Sequence, residues 1–232
     1  MSPVRGYDGR HVKVIVFGAS GSAGGSVLVA SLMSPDVEEV RAVTRRPLGF
    51  THPKLTEIRH ADFADFGPMA EALTGLDACF YCLGKSVRQV PDAAEYRRIT
   101  YDVAMAAALA LQQQSPDAVF HFISGQGTGV ESRFMWARVK GETERDLIAR
   151  FDAVCWRPAL IDGVPSKSEP PLYRMIRPAA RIFLKPFKSL YVTGDDIGRA
   201  MVLATLEGVR GCIFENKEIR AMARRYTARL RS

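Results

Sequence analysis

Apolar residues fall along this chain in short, nearly continuous runs separated by longer stretches of mixed character. Val12–Phe17, Val40–Thr44, Leu55–Arg59, Ala78–Leu83, Ala118–Ile123 and Ala153–Trp156 are runs of this kind, most of them rich in Val, Ile, Phe or Cys. They predict strands covered on both faces, as in a parallel sheet. Helices are predicted between them. Ser22–Met33 stops at Ser34-Pro35, Asp92–Gln114 starts beside Pro91 and ends at Ser115-Pro116, and Phe134–Arg150 follows a glycine-rich loop. Strand and helix alternating in this order predict an α/β fold built on a doubly wound parallel sheet of six to seven strands. After Pro158 the texture changes, with Pro165, Pro170 and Pro171 followed by a basic, helix-like stretch. Asp195–Leu206 then reads as a capped helix ending before Gly208, and Cys212–Phe214 as a last short strand. Segment 158–195 is expected to be a small C-terminal substrate subdomain over the sheet edge, within a single domain spanning 1–232.

Composition sharpens this picture by exclusion. With 232 residues, 47% of them apolar and 25% charged, the chain suits one core and is too apolar for disorder. The longest uninterrupted apolar run, Val103–Leu111, is about half of what a membrane span needs, so none is expected. Met1 to Lys13 carries charges, Gly and Pro without an apolar h-region, and four cysteines give no disulfide framework. A cytoplasmic protein is therefore the expectation.

The net charge of +7 is concentrated locally. Arg220, Arg224, Arg225, Arg229 and Arg231 lie in the last thirteen residues, and Arg174, Arg177, Arg181, Lys185 and Lys188 between Tyr173 and Ser189. Arg174, Arg177, Arg181 and Lys185 share one helix face, which is either solvated or open to an acidic protein partner or anionic substrate. The terminal arginines are expected to form a frayed, solvated tail. Neither stretch interleaves aromatics among its charges, so nucleic acid is not an expected partner. Cys79 and Cys82, three apart on a strand, face opposite sides of the sheet. His11, His52, His60 and His121 have no ligand spacing, so no metal site is expected and His121 is assigned to the core.

The first strand runs into Gly18-Ala19-Ser20-Gly21-Ser22-Ala23-Gly24 and then a helix. This is a G-x-x-G-x-x-G variant of the Rossmann dinucleotide fingerprint. Gly18 allows the tight turn, Gly21 lets the backbone approach a pyrophosphate, and Gly24 lets helix and strand pack closely. The helix N-terminus then offers free N–H groups to the phosphates. The second strand ends Thr44-Arg45-Arg46, where an NAD site usually places Asp or Glu for the ribose hydroxyl. Arg45 and Arg46 suit a 2′-phosphate, so NADP (NADPH) is the expected cofactor.

Further motifs follow: Thr44-Arg45-Arg46-Pro47, Ala61-Asp62-Phe63, Cys82-Leu83-Gly84, His121-Phe122-Ile123-Ser124, Val139-Lys140-Gly141-Glu142, Trp156-Arg157-Pro158-Ala159 and Glu215-Asn216-Lys217-Glu218-Ile219. In these the chain resembles the atypical branch of the short-chain dehydrogenase/reductase superfamily, and within it the Tat-interacting oxidoreductase-like proteins and their NmrA-like relatives. The resemblance runs from about Val12 to Ala223. It implies that Asp62, Phe63, Leu83, Gly84 and Pro158 flank the cofactor beside Gly18, Ser20, Gly21, Ser22, Ala23, Gly24, Arg45 and Arg46. It also implies an active constellation in which Ser124 orients a carbonyl and Lys140 holds the nicotinamide ribose. The family's tyrosine would fall at Trp136, which shares a helix face with Lys140. Indole has only an N–H donor and cannot act as a general acid as a phenol does. Tyr81 and Lys85 repeat the Tyr-x-x-x-Lys spacing without a helix to align them. Tyr173 and Tyr191 are the better replacement donors.

Two function classes follow. One is an NADP(H)-dependent oxidoreductase acting on an unidentified small carbonyl, imine or olefin under residues 158–195. The other is a non-catalytic NADP(H)-binding regulator or sensor, which Trp136 favours.

Overall fold

Seven parallel strands form the central sheet of the computed structural model, which describes residues 11–163 and 191–231. In chain order these are β1 (Val12–Phe17), β2 (Val37–Thr44), β3 (Leu55–Arg59), β4 (Ala78–Tyr81), β5 (Val119–Ile123), β6 (Val154–Arg157) and β9 (Cys212–Glu215). Their spatial order is β3-β2-β1-β4-β5-β6-β9. The order reverses at β1, between β2 and β4, and the crevice at that switch point is where doubly wound sheets place ligands. Strands β7 (Leu160–Asp162) and β8 (Tyr191–Thr193) pair separately, in parallel.

The helices divide between the two faces. α1 (Ser22–Met33), α5 (Gly194–Leu206) and α6 (Asn216–Arg229) cover a core containing Val14, Val16, Val27, Leu28, Phe80 and Trp156. α3 (Val103–Gln114) and α4 (Met135–Phe151) cover the opposite one, with Ile15, Phe17, Cys79, Tyr81, Phe120 and Phe122. Successive residues of β1 and β4 thus serve opposite cores, as strand alternation requires. Cys79 belongs to the second core and half-buried Cys82 packs against the first, so their sulfurs diverge. Among the described residues no helix is long and apolar enough to cross a membrane.

One sequence expectation changes and one helix gains an internal feature. The predicted helix Asp92–Gln114 runs without interruption from Ala93 to Gln114: α2 (Ala93–Arg97), capped by Asp92, whose Oδ1 accepts the Glu95 amide at 2.8 Å, passes through a π-helical turn, Arg98–Asp102, into α3. The arginine-rich terminus is not a frayed tail but α6, started by a reciprocal capping box between Glu215 and Glu218. Its buried Ile219, Met222, Ala223 and Tyr226 repeat at helical spacing, and Arg229 donates to Asp36 at 2.8 Å. α1 meets α5 through glycines. A Cβ at Gly194 would lie 2.3 Å from the Ser26 side chain, and one at Gly198 2.5 Å from Ala30 Cβ. These contacts bring α5 close against α1. Of segment 158–195, the described ends 158–163 and 191–195 carry β7, β8 and the start of α5. Tyr173 and the basic run from Arg174 to Lys188 lie outside the described residues.

His121 is a core residue, as its strand position predicted. Its ring is fully buried, accepts the Trp156 indole N–H on Nδ1 at 3.2 Å and meets the Thr205 hydroxyl through Nε2 at 3.1 Å. Burial, with the nearby Arg210, pulls it down to about 3. The unfolded chain binds this proton below about pH 6.5 while the native state does not, so stability is lost as pH falls through that window. From pH 7 to pH 5 this group should remove about 2 kcal/mol of unfolding free energy. His121→Gln removes the ionisable ring while keeping a polar side chain and should flatten that slope in urea titrations. Equal slopes in parent and variant would count against a neutral buried imidazole.

Candidate functional site

The C-terminal end of β1 turns sharply at Gly18, whose φ is +78° and where a Cβ would lie 2.7 Å from the Cys82 carbonyl oxygen. A Cβ on Gly24 would lie 2.2 Å from the Gly18 carbonyl oxygen. These two glycines are therefore required by the fold itself, one for the turn and one for packing α1 onto the loop. Gly21 differs. It caps α1 in an extended conformation (φ −84°), and its Cβ direction meets only the Gly18 carbonyl oxygen, at 3.2 Å. The amides of Ser22, Ala23 and Gly24 open the helix without an intrahelical acceptor, and no side chain caps them. No acidic residue lies in the first turn. An electropositive cradle of uncapped helix amides behind a glycine turn is what a pyrophosphate needs, so the residues present fit a dinucleotide. Ser20 is exposed, while Ser22 and Ala23 are half-buried.

The rim of this cradle comes from the ends of the neighbouring strands. Arg45 and Arg46, past the end of β2, are exposed and have no ion-pair partner among the described residues. The acids of β2 are engaged elsewhere, Glu39 with Arg41 at 2.7 Å and Glu38 with Lys13 at 3.5 Å. Arg59 donates to the Arg45 carbonyl at 3.0 Å and holds the loop in place. Asp62 is exposed and accepts the Ala64 amide at 2.9 Å. Phe63 is half-buried among Phe17, Phe66 and His60. Leu83 is half-buried beyond β4, and Gly84 beside it is exposed with nothing within 4 Å of a Cβ. Tyr81, of the Tyr81/Lys85 pair, is fully buried with its hydroxyl unpaired, and burial holds its phenol well above the ordinary range. It is not an accessible acid.

Ser124, Lys140 and Trp136 are brought to one region by β5 and α4. Lys140 Nζ donates to the Ser124 carbonyl oxygen at 2.7 Å, and the buried Ser124 hydroxyl lies 3.1 Å from that of buried Thr128. Desolvation pulls Lys140 down to about 8, against the opposing pull of the Glu144 carboxylate. Trp136 is half-buried one turn before Lys140. The loop carrying Thr128 is tightly held. Gly127 has a φ of +84°, and the Thr128 amide turns back to the Gly125 carbonyl at 3.3 Å. The Gln126 amide meets the carbonyl of buried Pro158 at 2.9 Å. The Gly129 backbone lies on α4 at Gly141, where a Cβ would stand 2.5 Å away.

Sequence reasoning missed Thr128. The signal was the spacing Ser124-Gly-Gln-Gly-Thr128, in which two glycines allow the chain to fold a hydroxyl back onto the serine. It also missed that Glu144 and Arg157 form an ion pair behind Lys140. Tyr191 is half-buried in β8, its carbonyl taking a long contact from Asn216 at 3.4 Å. Tyr173 falls outside the described residues.

No family model matches the chain. Among curated proteins it is similar to the mitochondrial protein fmp52 of Aspergillus clavatus, 29% identical over 216 residues, covering 85% of this chain and 88% of that protein. Among solved structures it is similar to DesIV, the dTDP-glucose 4,6-dehydratase of Streptomyces venezuelae with NAD and TYD bound. The TM-score is 0.65 at 15% identity, covering 95% of this chain and 81% of that one. A short chain dehydrogenase family protein from Francisella tularensis gives a TM-score of 0.63 at 13% identity, covering 94% and 99% of the two chains. The fold is thus the Rossmann-like α/β fold of short-chain dehydrogenases and their dehydratase relatives. Proteins named FMP52 in Emericella nidulans, Candida albicans and Saccharomyces cerevisiae are likewise designated mitochondrial. This overturns the cytoplasmic expectation. A missing apolar h-region argues against a secretory signal, but mitochondrial addresses are Arg- and Ser-rich and need no such region.

Proposed function

We propose that the chain binds a nicotinamide dinucleotide, NADP(H) in preference to NAD(H), and acts as an atypical short-chain oxidoreductase on a small molecule. The observation that carries this reading is the uncapped N-terminus of α1, reached through a loop where Gly18 and Gly24 admit no side chain and Gly21 presents bare backbone at the N-cap. Placement in the atypical branch, beside the Tat-interacting oxidoreductase-like and NmrA-like proteins, is supported by Arg45-Arg46-Pro47, Lys140-Gly141-Glu142 and Arg157-Pro158.

In this reading Gly21, Ser22, Ala23 and Gly24 bind the pyrophosphate, Arg45 and Arg46 the 2′-phosphate, and Lys140 the nicotinamide ribose. Asp62, Phe63, Leu83 and Gly84 border the adenosine half, and Pro158 the nicotinamide half. The bound dinucleotide supplies or accepts the hydride. Ser124 and Thr128 then orient the substrate: an oxygen 2.8 Å from each hydroxyl would complete a nearly equilateral triangle with their 3.1 Å separation. The half-buried indole of Trp136 provides a wall and moves no proton. The same observation favours one alternative, a dinucleotide-binding regulator that turns over slowly or not at all.

Gly21→Val tests the reading. The φ at Gly21 is one that any residue adopts, and a Cβ there would meet only the Gly18 carbonyl oxygen, at 3.2 Å, which must give by a few tenths of an ångström; the branched side chain then stands where the phosphate would lie. NADPH fluorescence titration should show binding in the parent and its loss in a variant of unchanged far-UV CD. Parent-like affinity in the variant would contradict the assignment of the loop.

A further inference from the structure

Behind Lys140 lies a line of charges that the substrate-facing residues do not use. Glu144, one turn further along α4, is buried, its side chain 2% exposed, and takes three contacts from Arg157 on β6: Nε to Oε1 at 3.0 Å, Nε to Oε2 at 3.1 Å and Nη2 to Oε2 at 2.6 Å. Arg157 Nη1 reaches Glu215, the residue that caps α6, at 3.0 Å. Lys140, at i−4 from Glu144 on the same helix face, directs its amine instead to the Ser124 carbonyl oxygen at 2.7 Å. A buried ion pair adds little net stability over an apolar pair of the same volume. The fold alone therefore gives no strong reason for charges here. The consequence is local: among the described residues, the carboxylate that acts on Lys140 is bound by a guanidinium from β6.

We infer that Arg157 and Glu144 are positioning residues for Lys140: by holding the Glu144 carboxylate on β6, Arg157 leaves the lysine amine on the Ser124 carbonyl, facing the place where a nicotinamide ribose would lie. This inference rests on the dinucleotide reading for its purpose, but the arrangement is testable without it. Glu144 on α4 is the charged group that acts on Lys140 besides burial. Ser124 meets it from the end of β5 with a neutral carbonyl. Arg157 from β6 and Glu215 at the start of α6 act through Glu144. Glu142 and Asp146 of α4 are paired with Arg97 and Tyr101 of the neighbouring helical segment. Burial holds Lys140 down at about 8, so it exchanges a proton near neutral pH, which Ser124, Thr128 and Trp136 do not.

The test is the pH dependence of Lys140 acetylation by acetic anhydride in cofactor-free protein, followed by peptide mass spectrometry. Arg157→Met frees Glu144 for the lysine and should move the half-reaction pH up by about one unit or more. Glu144→Gln keeps one acceptor oxygen for Arg157 but removes the negative charge, and should move it down by about one unit. Arg157→Lys should restore the parent value to within roughly 0.3 units. Opposite shifts from the two halves of one ion pair are the signature, because loosening of the structure would expose the lysine and raise the value in both. Where Arg157→Met does not fold, Arg157→Gln carries the same expectation. Shifts of one sign in both variants, or none in either, overturn the inference. Opposite shifts in a protein that binds no NADPH would leave the inference standing and remove the dinucleotide reading.

Discussion

Trp136→Tyr is expected to raise the reduction of simple aldehydes and ketones by roughly 10²–10⁴-fold, the usual contribution of a placed general acid. The substitution puts a phenol one turn before Lys140, on the helix face that Lys140 shares. Lys140 is set near 8 by burial and is still largely cationic at neutral pH, so it lowers the phenol toward the working range. Ser124 and Thr128, 3.1 Å apart, would already hold the substrate oxygen. Adding Lys140→Ala should abolish the gain. The parent should reduce the same panel slowly or not at all while binding NADPH. Brisk parental turnover that Trp136→Tyr slows would contradict the role given to the indole and exclude the regulator alternative. The donor would then be sought at Tyr191 or Tyr173.

Charge reversal at the end of β2 is the second large effect. Arg45 and Arg46 are exposed and free of ion pairs among the described residues, while the acids of the same strand are held by Lys13 and Arg41. Two charge-assisted hydrogen bonds to a 2′-phosphate are worth on the order of 1.5–3 kcal/mol each. Arg45→Glu with Arg46→Glu removes both and adds repulsion, so NADPH affinity should fall by roughly a hundredfold or more while NADH affinity changes little. Exposed loop residues contribute little to stability, and the melting temperature should stay near that of the parent. An unchanged NADPH affinity in the double variant would place the 2′-phosphate elsewhere.

The sheet was legible in the sequence because parallel strands buried on both faces leave near-continuous apolar runs, and the first strand-to-helix loop because its glycines are dictated by backbone contact. Gly18 and Gly24 show this directly, since each would place a Cβ within 2.7 Å of a carbonyl oxygen. The terminal helix was hidden for the opposite reason. Its apolar stripe of Ile219, Met222, Ala223 and Tyr226 is interleaved with arginines that face outward or pair with acids of other elements, Arg225 with Glu207 and Arg229 with Asp36. Contacts between residues distant in sequence were not readable at all. Thr128 meets Ser124 only because of a positive φ at Gly127, and Glu144 meets Arg157 only because β6 runs beside β5 under α4. The tight approach of α5 to α1 through Gly194 and Gly198 is a further case, since neither glycine belongs to a recognisable motif. The site was thus half-visible. The half proposed for the cofactor is local in sequence, and the half around Ser124 and Lys140 is assembled by tertiary contact.

The central claim is that the loop from Gly18 to Gly24 and the arginines after β2 form one site for a phosphorylated nicotinamide dinucleotide. Isothermal titration of the parent protein with NADPH and, separately, with NADH tests it most directly. Saturable NADPH binding at one site per chain, with NADH at least roughly tenfold weaker, is the result expected from two guanidiniums facing a 2′-phosphate. Equal affinities for the two nucleotides, or no binding of either, would contradict it.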